Sequence, residues 1–135
     1  MKNYRQALAH IRKVDPLLYE AAVRYDPVSL FEVNESKNYF ERLCRSIAGQ
    51  QLSTKAAATI WSRFRALIRS KEMTPKAVLK LTQEQMRGAG LSNAKSRYIQ
   101  GIAQAAMNKS VDLVNLDKLN DEEVMETLIQ LKGVG

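Results

Sequence analysis

The sequence is poor in the residues that staple, break or anchor a chain. One cysteine, Cys44, and one histidine, His10, occur in 135 residues. A single thiol excludes an internal disulfide and a cysteine-rich zinc site. A lone histidine has no partner for metal or triad chemistry. Prolines number three, and no low-complexity linker interrupts the chain. No apolar run approaches the roughly 20 residues that span a bilayer, so no membrane partner is expected. The opening MKNYRQALAH lacks an apolar stretch behind its lysine, so no secretory leader is expected. A cytoplasmic location without resident metal or cofactor is the expectation.

What is present can build a core. A length of 135 residues fits one domain and needs no staple. Hydrophobic residues make up 45%, too many for a disordered tail. Charge is the first pointer to a partner: 21 Lys and Arg face 14 Asp and Glu, a net +7. Residues 1–70 carry 12 basic and 6 acidic groups, residues 71–110 carry 7 and 2, and residues 111–135 carry 2 and 6. A basic body suits a polyanion such as nucleic acid. A solvated cationic surface explains the same numbers.

Apolar residues recur at helical spacing almost throughout, which predicts an all-α fold. Tyr4, Ala7, Leu8 and Ile11 form one stripe. Asp15 offers a cap before Pro16, leading into Leu17, Leu18, Ala21 and Ala22. Asp26-Pro27 ends that helix. Val28 to Val33 reads as a short strand or a loop. Ser36 is placed to cap a helix carrying Tyr39, Phe40, Leu43 and Ile47 inward. Gly49-Gln50-Gln51-Leu52 interrupts the pattern, and Ser53 caps the clearest helix, with Ala57, Ile60, Trp61, Phe64, Leu67 and Ile68 on one face. Lys55, Ser62, Arg65 and Arg69 share the other. Thr74-Pro75 restarts a short helix through Leu81. Thr82 with Gln85, and Asn120 with Glu123, fit capping boxes. Ser92 opens a helix with Ile99, Ile102, Ala103 and Ala106 apolar. The last helix carries Val124, Met125, Leu128 and Leu131.

Two segments share a spacing: Met86-x-Gly88-x-Gly90 and Leu131-x-Gly133-x-Gly135. Paired glycines let a backbone turn tightly and approach a ligand, and the amides opening a following helix can face a phosphate. A plain helix C-cap is the simpler reading, and it is favoured for Gly88-Ala89-Gly90.

Three stretches carry a family likeness. They are Tyr39 to Ala57, with Gly49-Gln50-Gln51-Leu52-Ser53 its most specific piece; Gly88-Ala89-Gly90-Leu91-Ser92-Asn93-Ala94-Lys95, continuing into Tyr98-Ile99; and Leu128 to Gly135. Together they resemble the helix-hairpin-helix DNA glycosylases, specifically the alkylpurine branch of 3-methyladenine glycosylases. The resemblance implies a helical barrel over residues 34–135, ending in the first half of the hairpin. Residues 1–33 would be helices of a second lobe, whose C-terminal companions are absent here. It further implies a catalytic aspartate downstream of Gly135. The chain by itself is therefore expected to be inactive, with apolar surface exposed and self-association or a loosened fold following.

The resemblance also implies what the intact enzyme does: it removes alkylated purines from double-stranded DNA in base excision repair. A base inside a duplex is out of reach, so the nucleotide must be extruded and the hole filled by a wedge. Mapped onto this chain, the wedge is Gln51, with Leu52 beside it; the alternative is that both are ordinary loop residues. Ser53, Lys132, Gly133 and Gly135 complete the DNA-binding set. No catalytic residue is assigned. Asp121, Glu122 and Glu123 suit a helix first turn, and Asp112 and Asp117 lie in a connecting loop. Cys44, Tyr39 and Phe40 read as core, and Trp61 as core or a base-pocket wall. Lys55, Arg63 and Arg65 suit phosphate or a solvated face. Two rival functions remain: a non-enzymatic DNA-binding hairpin module, and a helical protein-interaction domain.

Overall fold

The computed structural model describes residues 2–24 and 38–135. Among them the regular elements are helical and no strand occurs. The chain divides into two compact units, residues 1–35 and 36–135. No described helix is long and apolar enough to cross a membrane.

The first unit holds α1 (Lys2–Val14) and α2 (Pro16–Ala22), packed on each other. The Asp15 side chain accepts from the Leu18 amide at 2.9 Å, and Pro16 occupies the first helical turn, where its missing N–H would have been unpaired anyway. Tyr4, Leu8 and Ile11 are half-buried, whereas Ala7 is exposed. Leu17 and Leu18 do not turn inward as expected: they are 83% and 51% exposed. Tyr19 and Ala22 are half-buried instead, and the Arg12 guanidinium lies 5.7 Å over the Tyr19 ring. Positions three apart share a face, so a short helix that buries Tyr19 and Ala22 leaves its leucines outside. Asp26-Pro27, the Val28–Val33 stretch and Ser36 lie outside the described residues.

The second unit contains α3 (Tyr39–Gly49), α4 (Thr54–Ala66), α5 (Pro75–Val78), α6 (Gln83–Gly88), α7 (Asn93–Met107), a 3-10 turn (Leu116–Lys118) and α8 (Asp121–Ile129). α7 is its centre: α3, α5 and α6 pack on it, and α4 packs on α3. The sequence explains this, because Ser96, Ile99, Ile102 and Ala103 recur at helical spacing and all are buried. The Ser96 hydroxyl donates to the Ser92 carbonyl at 3.0 Å, so this buried polar side chain keeps a partner. Cys44, Ile47, Phe64, Met86 and Val78 converge on the same core. Full burial of such a side chain contributes about 1.5–3 kcal/mol.

Four expectations need correction. α3 is capped by Asn38, whose Oδ1 accepts from the Glu41 amide at 3.0 Å while its Nδ2 donates to the Met73 carbonyl at 3.1 Å. That double use ties the helix start to a distant loop. α5 stops at Val78 rather than Leu81, because the Leu81 amide bonds back to the Val78 carbonyl at 3.0 Å in a tight turn. Met125 is 59% exposed; the inward stripe is Val124, Leu128 and Leu131, and Met125 lies on its flank. Arg65 does not belong to the solvated face. Its guanidinium pairs with Glu41 at 3.1 Å and donates to the carbonyls of Ile68, Ser70 and Lys71, so it shapes the loop after α4. Trp61 meets Phe64 at 5.8 Å between ring centroids, a core contact.

Candidate nucleic-acid interface

α3 ends in a turn that fully accounts for its last carbonyls. The Gln50 amide bonds to the Ser46 and Ile47 carbonyls at 3.1 and 3.4 Å. The Leu52 amide bonds to the Gly49 carbonyl at 3.2 Å. The Ala48 carbonyl accepts from Lys95 Nζ at 2.9 Å. Helix ends usually leave such groups to water or caps; here each has a protein partner.

Gly49-Gln50-Gln51-Leu52 is a type II β-turn. Gln50 has φ −51° and ψ 136°, and Gln51 has φ +58°. The third position of a type II turn requires positive φ and ordinarily takes glycine or asparagine. A glutamine there is strained, and it is exposed. Leu52, beside it, is 38% exposed. Ser53 accepts from the Ala56 amide at 3.4 Å as the cap of α4.

A second turn of the same kind lies alongside. The Val134 amide bonds to the Leu131 carbonyl at 3.1 Å, and Gly133, the third residue, has φ +92°. A Cβ on Gly133 would clash with the Tyr98 ring at Cδ2, so the ring and the backbone both demand glycine. Gln50 Nε2 donates to the Gly133 carbonyl at 2.9 Å, which clasps the two turns together across 83 residues of sequence. Lys132, between Leu131 and Gly133, is exposed. Gly135 is exposed, and a Cβ there would reach only ordinary contact, 3.4 Å from Ile129 Cβ. Among the expected site residues, Gln51, Leu52 and Ser53 thus form one loop. Lys132 and Gly133 form its neighbour.

The repeated glycine spacing does not carry repeated geometry. In the first copy the left-handed glycine is the second, Gly90, at φ +104°. Its amide bonds to the Arg87 carbonyl and the Leu91 amide to the Met86 carbonyl, the two bonds of a Schellman cap. In the second copy it is the first, Gly133, because α8 ends at Ile129 and the turn follows as a separate unit. Sequence reasoning assigned no role to Gln50, Lys95 or Tyr98: Gln50 reaches the Gly133 carbonyl, Lys95 the Ala48 and Gln50 carbonyls, and the Tyr98 ring lies against Gly133. Only the recurrence of polar and aromatic residues next to glycines could have hinted at them.

The carboxylates with structural partners are accounted for. Glu41 holds Arg65, and Glu123 closes the capping box with Asn120. Asp112 accepts from the Asn115 side chain and from the Val114 and Asn115 amides, and these bonds hold its carboxyl below the usual range. Among the described residues no three His, Cys, Asp or Glu side chains cluster as metal ligands. A cavity of about 1010 Å³ near Asn38, Met73 and Val111 lies at the other ends of α3 and α7, away from the turns.

Among the described residues the scaffold is helical, and it clasps two left-handed turns together at one end, with Gln51 and Lys132 exposed on them. Residues 44–133 match the family described as HhH-GPD superfamily base excision DNA repair protein, and the chain belongs to that family. It is 34% identical over 103 residues to DNA-3-methyladenine glycosylase 1 of Schizosaccharomyces pombe, covering 75% of this chain and 45% of that protein. A DNA-3-methyladenine glycosidase of Bacillus halodurans shares the fold at TM-score 0.68 and 33% identity, covering 73% of this chain and 45% of the other. The Schizosaccharomyces pombe 3-methyladenine DNA glycosylase in complex with abasic DNA aligns at TM-score 0.63 and 29% identity, covering 80% and 56%. The chain spans about half the length of the curated relatives it matches.

Proposed function

We propose that the protein is a DNA glycosylase of base excision repair, and that these residues supply its DNA-engaging surface. Its substrates are alkylated purines of the 3-methyladenine kind in double-stranded DNA. The observation that carries this reading is Gln51: an exposed side chain on a strained, left-handed backbone, in a turn clasped to the Gly133 turn. Strain of this kind costs about 1–3 kcal/mol and collects at functional positions. Extruding a nucleotide leaves a gap in the stack. The Gln51 stem fills that gap while its amide pairs with the orphaned base, and Leu52 adds apolar bulk. Lys132, the amides of the second turn and the start of α4 take up the flanking phosphates.

Once a base is extruded, its glycosidic bond breaks through a state with positive charge on the sugar, which a carboxylate stabilises. An alkylated purine already carries positive charge and leaves readily, so little acid catalysis is needed. No residue of this chain is assigned that carboxylate role; the excision step is proposed for the whole protein.

Titration of the 135-residue chain onto duplex DNA tests the reading. Affinity should fall steeply with salt, with a log–log slope of about −2 to −4 for a few phosphate contacts. A flat salt response would instead favour a protein-interaction domain. Incubated with alkylated duplex, the same chain should bind without releasing 3-methyladenine. Release would overturn the assignment of no catalytic residue. Loss of duplex binding on Lys132→Glu but not on Gln51→Ala is expected, since the wedge acts on the gap and the lysine on the backbone.

A further inference from the structure

Lys95 stands where sequence logic would put a phosphate ligand, in the first turn of α7 just behind a glycine cap. The structure commits its ammonium elsewhere. Nζ donates to the Ala48 carbonyl at 2.9 Å and to the Gln50 carbonyl at 2.7 Å. Both acceptors lie at the C-terminal end of α3, where the helix dipole favours a cation. The Gln50 carbonyl is the more telling partner. It belongs to the peptide plane between Gln50 and Gln51, the central peptide of the turn. Type I and type II turns differ by a flip of that plane. In the type I form the carbonyl would point away from Lys95, and Gln51 would relax to the negative φ that a glutamine prefers.

We propose that Lys95 is the positioning residue of the wedge: by fastening the Gln50 carbonyl it selects the type II turn and so sets the direction of Gln51. Gln50 completes the device, since its side chain reaches the Gly133 carbonyl from the same residue. The lysine thereby sustains the strain at Gln51 without touching DNA. This inference rests on the wedge reading of Gln51 for its purpose, but not for its geometry, which allows the two to be tested apart.

The first test needs no DNA. With Lys95 in place, Gln51→Gly relieves a left-handed residue and should raise the melting temperature by a few degrees. In a Lys95→Met background the turn is free to relax to type I, where glycine only adds unfolded-state entropy, so Gln51→Gly should lower the melting temperature. A shift of the same sign and size in both backgrounds overturns the proposal. Lys95→Leu, which also lacks a donor, serves as background if the methionine variant does not fold.

The second test reads the wedge, using a duplex in which 2-aminopurine faces an abasic site. Lys95→Met should largely abolish the fluorescence response, because a relaxed turn no longer directs Gln51 into the gap. Affinity for undamaged duplex should stay unchanged, and Lys95→Arg should restore the response. An undiminished response in Lys95→Met overturns the proposal. If Gln51→Ala keeps the full response while the melting shifts still change sign, the wedge reading fails and the turn selection by Lys95 stands.

Discussion

At the scale of single residues, Gly133 and Gly88 occupy equivalent places in the repeated spacing yet have opposite tolerances. Gly133 is left-handed and pressed against the Tyr98 ring, whereas Gly88 is helical and a Cβ added there would meet nothing within 4 Å. Gly133→Ala should therefore cost about 1–3 kcal/mol, while Gly88→Ala should stabilise by about 0.5–1 kcal/mol. Paired thermal melts check both, and equal effects would contradict the assigned geometry. Cys44 offers a separate measurement. Burial, and after it the Glu41 charge, push its thiol above the ordinary value of 9.0. Above that pH the unfolded chain releases the thiol proton while the folded chain keeps it. Stability is then complete below pH 9.0 and falls as pH rises, by at most about 1.4 kcal/mol per unit. Denaturation of the parent and of Cys44→Ala across this range should show the steeper decline in the parent. Parallel curves would mean an accessible, ionised thiol.

At the scale of elements, the connections carry as much information as the helices. Arg65 joins the end of α4 to α3 through Glu41 and to three loop carbonyls. Arg65→Met keeps the apolar stem but leaves these acceptors unmatched. It should destabilise the second unit by about 1–3 kcal/mol and loosen residues 68–71 first. Hydrogen exchange localised to that loop is the check. An unchanged melting temperature would return Arg65 to the set of free cations available to phosphate. Most caps were legible in advance because a short polar side chain directly before an apolar periodicity has one main use: Asp15, Ser53, Thr74, Thr82, Ser92 and Asn120 all accept from an amide three residues on, whereas α3 offered two such side chains and Asn38, not Ser36, is its cap. The clasp between the turns was not legible, since nothing in a glutamine at position 50 marks a carbonyl 83 residues away.

At the scale of the whole molecule, the charge excess lies in one unit. Residues 36–135 carry 16 Lys and Arg against 9 Asp and Glu, whereas residues 1–35 carry 5 of each. Attraction to DNA should therefore survive deletion of the first unit's basic residues better than loss of those in the second. Apolar side chains also face outward, among them Val14 and Leu17 in the first unit and Met125 and Ile129 in the second. Scattered exposure of this kind is ordinary, but clusters favour association. We expect sedimentation of the chain to show concentration-dependent association that Leu17→Ser weakens. A single species of monomer mass at all concentrations would remove self-association from the account.

Helical periodicity and capping residues were sufficient to place an all-α fold, because backbone hydrogen bonding and amphipathic burial are local and repeat along the chain; the family came separately, from the resemblance of three stretches, the Gly-Gln-Gln-Leu-Ser run above all. Which glycine turns left, which arginine is spent on a loop, and which lysine fastens the Gln51 turn were decided only when distant segments met. Those choices depend on contacts such as Tyr98 against Gly133 and Lys95 against Gln50, and no periodicity encodes a partner that arrives through space.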